Sequence, residues 1–416
     1  QAEDGIRDSS TSRGLGDVYK RQVHISRSGS VYSYANCSLT AGDSISGISV
    51  MKISTSMLLG CLLIISCSHN EMISDKTITV FDKQTISFSP DMETDALDNM
   101  VSLGSGRLVL KKIQLPKKNY YHHAQATIRL ESTGDPWDKS GSFFILPGAE
   151  LENLDHTNSV ELLRFITPFG VGYFNDQEHI QKLKPSYIPR WEDDITWETD
   201  ISHLLPILEG EVWLGLYIDT WSNEGWLVDV SLQFDEHFVR IQPPQKDIIP
   251  LLNTTPMFPG QTGYDKFASI PITKTFYLEQ DYDDVQLYYL TTGHGGHSTG
   301  DEFTKRLNVI SLNNNVVKEF IPWRDDCASF RRFNPSSGVW MTPAEWKGEI
   351  IEERIASSDY SRSGWCPGSD VSPVIVELGP LKKGQHSITF SIPAAQESTK
   401  EFFNFWNVSA LSLIHI

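Results

Sequence analysis

Three acidic positions stand where proton transfer could be done. Asp138 closes the turn Gly134-Asp135-Pro136-Trp137-Asp138-Lys139, Asp219 lies between Tyr217-Ile218 and Thr220-Trp221, and Glu302 ends the glycine-rich loop Gly293-His294-Gly295-Gly296-His297-Ser298-Thr299-Gly300-Asp301-Glu302. Carboxyls on loops above a rigid scaffold are well placed for function, and burial against an aromatic ring raises a carboxyl pKa toward the range of a useful general acid. Trp137 and Trp221 stand one and two residues from the first two acids. Their flat faces suit a stacked sugar ring whose edges the carboxylates bond. Two plainer readings remain open: isolated acids are mostly solvated turn residues, and both tryptophans serve equally well as core anchors.

A second cluster is Ser361-Arg362-Ser363-Gly364-Trp365-Cys366-Pro367-Gly368, a polar turn that carries an arginine, a tryptophan and a cysteine. Arg362 could present a fixed fork of donors to a carboxylate or carbonyl, or be a surface ion-pair residue of little consequence. His294 and His297 have the spacing of a metal pair near Asp301 and Glu302, but no third His or Cys accompanies them, so no metal or cofactor is expected. No nucleophile elbow, P-loop or dinucleotide fingerprint occurs.

The elements that must hold these residues read as strands. Residues 77–81, 107–115, 124–130, 211–218 and 226–234 have strand length and turn residues at their ends, and the last alternates from Val228 onward. A second series covers 274–279, 285–292, 307–312, 316–321, 373–378 and 386–392. Between them Gln242-Pro243-Pro244-Gln245-Lys246-Asp247 reads as a linker. The expectation is an all-β chain: one eight-stranded sandwich over 67–241, a linker over 242–248 and a second sandwich over 249–410. Only 201–208 and 343–355 are helical candidates. The acidic stretch 340–358, with Glu345, Glu349, Glu352 and Glu353, shapes substrate preference or is a solvated face. A net charge of −18 over 416 residues argues against a nucleic-acid partner.

The ends read differently. Met51-Lys52, the apolar run 57–65 and Ser66-Cys67 form a secretory signal over 51–66, since the run falls short of the roughly 20 residues that span a bilayer. A cysteine at the cut site resembles a bacterial lipobox, with Cys67 as the acylated first residue, an exported protein and an outer-membrane anchor facing the periplasm or the cell surface. Residues 1–50 and 411–416 resemble translated adapter sequence and are expected to be a non-native leader and tail. Cys327 and Cys366 then remain, and in an oxidising compartment they are expected to form one disulfide. Asn253-Thr254-Thr255 and Asn407-Val408-Ser409 match the glycosylation acceptor pattern by chance.

With these motifs in place, the chain resembles the peptide-N-glycosidase F family of bacterial amidases over residues 81–409. The stretches that carry the likeness are Arg164-Phe165-Ile166-Thr167-Pro168-Phe169, Trp137-Asp138, Thr220-Trp221, the loop ending at Glu302, and Gly364-Trp365-Cys366-Pro367-Gly368. The resemblance implies two antiparallel jelly-roll sandwiches side by side. It implies release of intact N-glycans from glycoproteins or glycopeptides by a monomer, with Asp138 as the essential acid and Glu302 as the second. Asp219 takes the place of a family glutamate, one methylene shorter. Arg362, Trp137, Trp221 and Trp365 are the implied substrate contacts. Family disulfides around the first two acids have no cysteines here. An endo-acting glycosidase and a non-catalytic glycan-binding lipoprotein are the rival readings.

Overall fold

Along Trp226–Glu236 and Tyr121–Ser132 nearly every second side chain is buried, so each strand turns one face to a core and the other toward solvent. The computed structural model describes residues 74–90, 95–97, 99–117, 120–147, 159–236, 246–258, 266–268, 270–296, 299–399 and 402–415. The expected leader, signal segment and Cys67 lie outside the described residues, as does His297.

Two β-sandwiches result, with antiparallel pairing throughout the described residues. In the first, a four-stranded sheet in the order Lys76–Ile86, Trp226–Glu236, Tyr121–Ser132, Ile195–Asp200 faces a seven-stranded one. The latter runs Asp370–Val371, Val160–Ile166, Ser140–Pro147, Gly210–Ile218, Leu108–Leu115, Met100–Leu103, Asp95–Leu97. Ile128, Val228, Phe143 and Leu214 fill the space between them. Ser140–Pro147 and Gly210–Ile218 are buried on both faces, because Met257 and Phe258 cover Phe144, Leu146 and Trp213 on the outer side. That accounts for the unbroken apolar runs in these two strands. The second sandwich packs Lys246–Asn253, Phe405–His415, Tyr282–His294, Val374–Leu381 over Ile272–Leu278, Gly384–Ser391, Asn308–Leu312, Asn315–Phe320, with Leu287, Tyr289, Ile310, Ile388 and Phe390 between them.

Three sequence expectations change. The helical candidate over 343–355 is a hairpin of Val339–Trp346 and Glu349–Ala356; Lys347 and Gly348 take φ of +53° and +84°, a two-residue turn that only left-handed backbone can close. The first sandwich exceeds eight strands, with four in one sheet and seven in the other, and one of the seven, Asp370–Val371, comes from the other half of the chain and pairs with Phe165 and Arg164. The segments at 242–248 and 411–416 are not wholly outside the fold: Lys246–Asn253 pairs with Phe405–His415, Lys246 opposite His415 and Pro250 opposite Leu411. The candidate at 201–208 forms a short 3-10 stretch, Ser202–Ile207, with Pro206 inside it.

The two sandwiches meet on polar ground. Arg164, wholly buried, lies 2.8 Å from Glu161, donates to the Asn407 carbonyl at 2.7 Å and reaches the Thr255 hydroxyl at 3.1 Å. Asn253 and Asn407 are 7% and 1% exposed in this contact region, so neither acceptor motif reaches the surface. Trp197 donates its indole N–H to the Gly368 carbonyl at 3.0 Å, which fixes the turn after Cys366 onto the first sandwich.

Candidate active site

Asp138 and Asp219 emerge from adjacent strand ends. Gly141 pairs with Ile218, and the Asp219 amide donates to the Ser140 carbonyl at 2.9 Å. Glu302 comes from the second sandwich, in the loop beyond Tyr282–His294. Arg362 joins the two halves. Its Nε donates to Glu302 Oε1 at 2.8 Å, Nη2 lies 3.6 Å from Asp138 Oδ2, and Nη1 donates to the Tyr360 carbonyl at 3.0 Å.

The guanidinium is held from all sides. It is 2% exposed, and the Phe303 and Trp365 rings lie 5.0 and 4.9 Å from it, a cation–π arrangement that strengthens when water is excluded. Backbone bonds join Arg362 to Arg324 in both directions. Gly364 turns the chain at φ +84°, where a Cβ would stand 2.5 Å from the Thr291 carbonyl oxygen; a side chain does not fit. The expected disulfide is present, with Cys327 and Cys366 Cα atoms 5.1 Å apart, and clamps the 3-10 stretch Cys327–Phe333 to this turn.

One cation facing two carboxyls leaves a surplus of acid. Burial pushes the Glu302 pKa up to about 7, against the Arg362 charge and with help from Asp138. Burial likewise raises Asp138, opposed by Arg362 and Lys139. The two titrate as a pair. The Gly295 amide donates to Glu302, and Gly296 leaves open backbone beside Oε2. Asp219 is also raised, by burial first, while Lys139, Tyr217 and Arg107 favour its ionised form. Its Oδ1 accepts from the Tyr217 hydroxyl at 3.0 Å and lies 3.3 Å from Arg107.

Trp137 and Trp221 are 58% and 60% exposed; neither is a core anchor. Arg107 stacks on Trp221 at 4.2 Å and Phe88 lies 5.0 Å from the same ring, so that ring is braced from behind. Trp365 departs from expectation. It is 3% exposed, its N–H donates to the Gly293 carbonyl at 2.8 Å, and it stacks against His294 at 5.3 Å. Its face is spent on Arg362 and is closed to substrate. His294 is itself a core residue, bonded to the Thr292 hydroxyl at 2.8 Å and stacked on Phe405, and burial lowers its pKa to about 3. Among the described residues no group of three or more His, Cys, Asp or Glu could hold a metal.

The sequence reading missed Arg107, Tyr217, Lys139 and Phe303. Tyr217 lies in a strand and Arg107 in the turn just before its partner strand, brought together by a register set by the whole sheet, and no local pattern marks them. Lys139 and Phe303 stand next to acids already singled out, and adjacency was the available signal.

Family profiles described as peptide-N-glycosidase F, N terminal and C terminal, match residues 77–155 with 148–234 and residues 264–413. Among solved structures, PNGF-II is 31% identical with a TM-score of 0.70, over 82% of this chain and 66% of that one; the chain thus spans just under two thirds of PNGF-II. PNGase F, a glycosylasparaginase from Flavobacterium meningosepticum, is 18% identical with a TM-score of 0.57, over 82% of this chain and 96% of that one, a likeness of fold. Among curated proteins none matches.

Proposed function

Since the chain belongs to the peptide-N-glycosidase F family, we propose that it is an amidase of N-glycoproteins or glycopeptides. It hydrolyses the β-aspartylglucosaminyl amide bond, turning the glycosylated Asn into Asp and releasing the intact glycan as a glycosylamine. The observation that carries this reading is the pair Asp138 and Glu302 on the one Arg362 guanidinium, next to the exposed Trp137.

Amide hydrolysis needs what such a pair supplies. Water is a weak nucleophile and an amide nitrogen a poor leaving group, so one proton must leave the attacking water and one must reach the departing nitrogen. Asp138 takes the proton from water as the new carbon–oxygen bond forms, and returns it to nitrogen as the carbon–nitrogen bond breaks. Glu302, with a pKa near neutrality, holds and polarises the water. Arg362 keeps both carboxyls in place and offsets the negative charge that builds on the carbonyl oxygen. Asp219 and the Trp221 face take the first sugar.

Mass spectrometry of a defined glycopeptide tests the reading. Amide cleavage gives an Asp-containing peptide and a glycan with both core sugars. One sugar left on an intact Asn would make the protein an endo-acting glycosidase instead, and binding with no product would make it a glycan-binding protein. The protein acts as a monomer, exported and held at the outer membrane through a lipid on Cys67. Loss of membrane association in Cys67→Ala tests that anchor, and antibody labelling of intact cells tells the surface from the periplasm.

A further inference from the structure

Two fully buried aspartates sit just before the paired acids in sequence, and both bond a tryptophan of a sandwich core. Asp135, 0% exposed, accepts from the Trp137 amide at 3.0 Å, the Thr220 hydroxyl at 2.5 Å and the Trp226 indole at 3.0 Å. Asp301, also 0% exposed, accepts from the Trp406 indole at 2.9 Å, the Gln396 amide at 2.9 Å and Arg306 Nε at 2.7 Å. Each therefore ties the segment of one reacting acid to a buried core tryptophan of its own sandwich. Asp135 also binds the Asp138 turn to Thr220, the residue next to Asp219. Asp301 has a parallel link: the Ser363 hydroxyl donates to its carbonyl at 2.6 Å, and the Ser363 amide donates to the Glu302 carbonyl at 2.9 Å.

The two differ in charge compensation. The partners of Asp135 are all neutral donors, whereas Asp301 is neutralised by Arg306 at 2.7 Å. We propose that both are positioning residues, and that Asp135 acts on Asp138 through its uncompensated charge as well as its hydrogen bonds, while Asp301 holds Glu302 by hydrogen bonds alone. This rests on the reading of Asp138 and Glu302 as the reacting carboxyls. The repulsion between Asp135 and Asp138 acts in the direction of greater Asp138 basicity, against Arg362 and Lys139. The groups that act most on Glu302 are Arg362, Asp138 and the Gly295 amide.

The test is a carbon-13 carboxyl titration of the folded protein, with the Asp138 signal assigned by its loss in Asp138→Asn. Asp135→Asn should lower the Asp138 midpoint, and the limb of the kcat/KM profile that Asp138 governs should move down with it. Thr220→Val keeps the charge and withdraws one donor, and Asp301→Asn withdraws the other anchor; both should leave the Asp138 midpoint in place while kcat/KM falls roughly tenfold. An unmoved midpoint in Asp135→Asn, or an equal shift in Thr220→Val, overturns the electrostatic part. If Asp135→Asn does not fold, Thr220→Val and Asp301→Asn carry the positioning part, which wild-type kcat/KM in both would overturn. The titration needs no turnover, so a protein that releases no glycan loses the functional reading and leaves this coupling testable.

Discussion

Two buried guanidinium groups join the two sandwiches to opposite effect. Arg164 meets a single carboxylate, Glu161, and that carboxylate also accepts from the Ser142 hydroxyl at 3.0 Å and the Ser409 hydroxyl at 3.1 Å. Charges match one to one and both side chains are sealed, 0% and 1% exposed. Arg362 meets two carboxyls, one bonded and one 3.6 Å away, and the second keeps 17% of its side chain in contact with solvent. A matched, fully bonded pair has nothing left to exchange and can only hold the interface. A mismatched one must keep a proton somewhere, and that proton is available for chemistry.

The comparison breaks most directly at Asp138. Asp138→Asn removes the surplus acid and leaves the shape, so glycan release should fall by at least about 10²–10⁴-fold with a melting temperature no lower than wild type. Substantial residual turnover would take Asp138 out of the reaction. Arg164→Met should do the reverse. It leaves Glu161 buried without its cation, at a cost of about 3–5 kcal/mol, while the folded fraction keeps its specific activity. Glu161→Leu combined with Arg164→Met should restore only part of that loss, because Ser142, Ser409 and the Asn407 carbonyl stay without partners. Chemical denaturation against kcat per folded molecule separates the two outcomes.

Acidity sharpens the same contrast. Glu302 binds its proton more tightly in the folded protein, about 7 against an ordinary 4.5, and Asp138 shifts in the same direction. Between those values the unfolded chain holds fewer protons, so stability should be greatest below about pH 4.5 for this group and decline as pH rises toward 7. The loss is on the order of 3 kcal/mol. Glu302→Gln should flatten that slope in a melting series from pH 5 to 8. A wild-type curve already flat over this interval would mean that Glu302 titrates as an ordinary carboxyl.

How much of this was legible in the sequence depends on how local each cause is. Alternation in Val228 to Phe234 and turn residues around the acids are local, and many of the strands and the turns that carry Asp138, Asp219 and Glu302 could be read from them; Ser140–Pro147, Val160–Ile166, Ile195–Asp200, Lys246–Asn253 and Phe405–His415 were not. Burial is not local. Trp137 and Trp365 look alike on paper as aromatic neighbours of a polar group, yet one is 58% exposed and the other 3%, because only the fold lays Trp365 against Arg362 and His294. Arg107 reaches Asp219 across 112 positions, a contact made by the pairing of Leu108 with Tyr217. The hairpin at Val339–Trp346 misled the helix reading for a third reason: a Glu- and Ile-rich run suits either state, and Lys347-Gly348 decides between them.

That hairpin gives the smallest effect. Among the described residues its strands pair with each other alone, and Trp346 and Ile350 are 63% and 80% exposed, so it buries little on folding. Its root is different. Ser337 and Ser357 hydroxyls lie 3.0 Å apart, the Ser358 amide donates to Ser337 at 2.9 Å, and Ser336 donates to the Pro136 carbonyl at 3.0 Å, within the Asp138 turn. The support for Arg362 and Asp138 therefore comes from the root, and the arm beyond it is dispensable to the pair. Replacing residues 341–354 by a two-residue turn should change stability by less than about 1 kcal/mol, since loop length costs little and exposed positions contribute little, and should leave turnover of a short glycopeptide near wild type. Ser337→Ala, a far smaller change, should lower that turnover more than the excision does; the opposite ranking would mean that the arm itself takes part in the site.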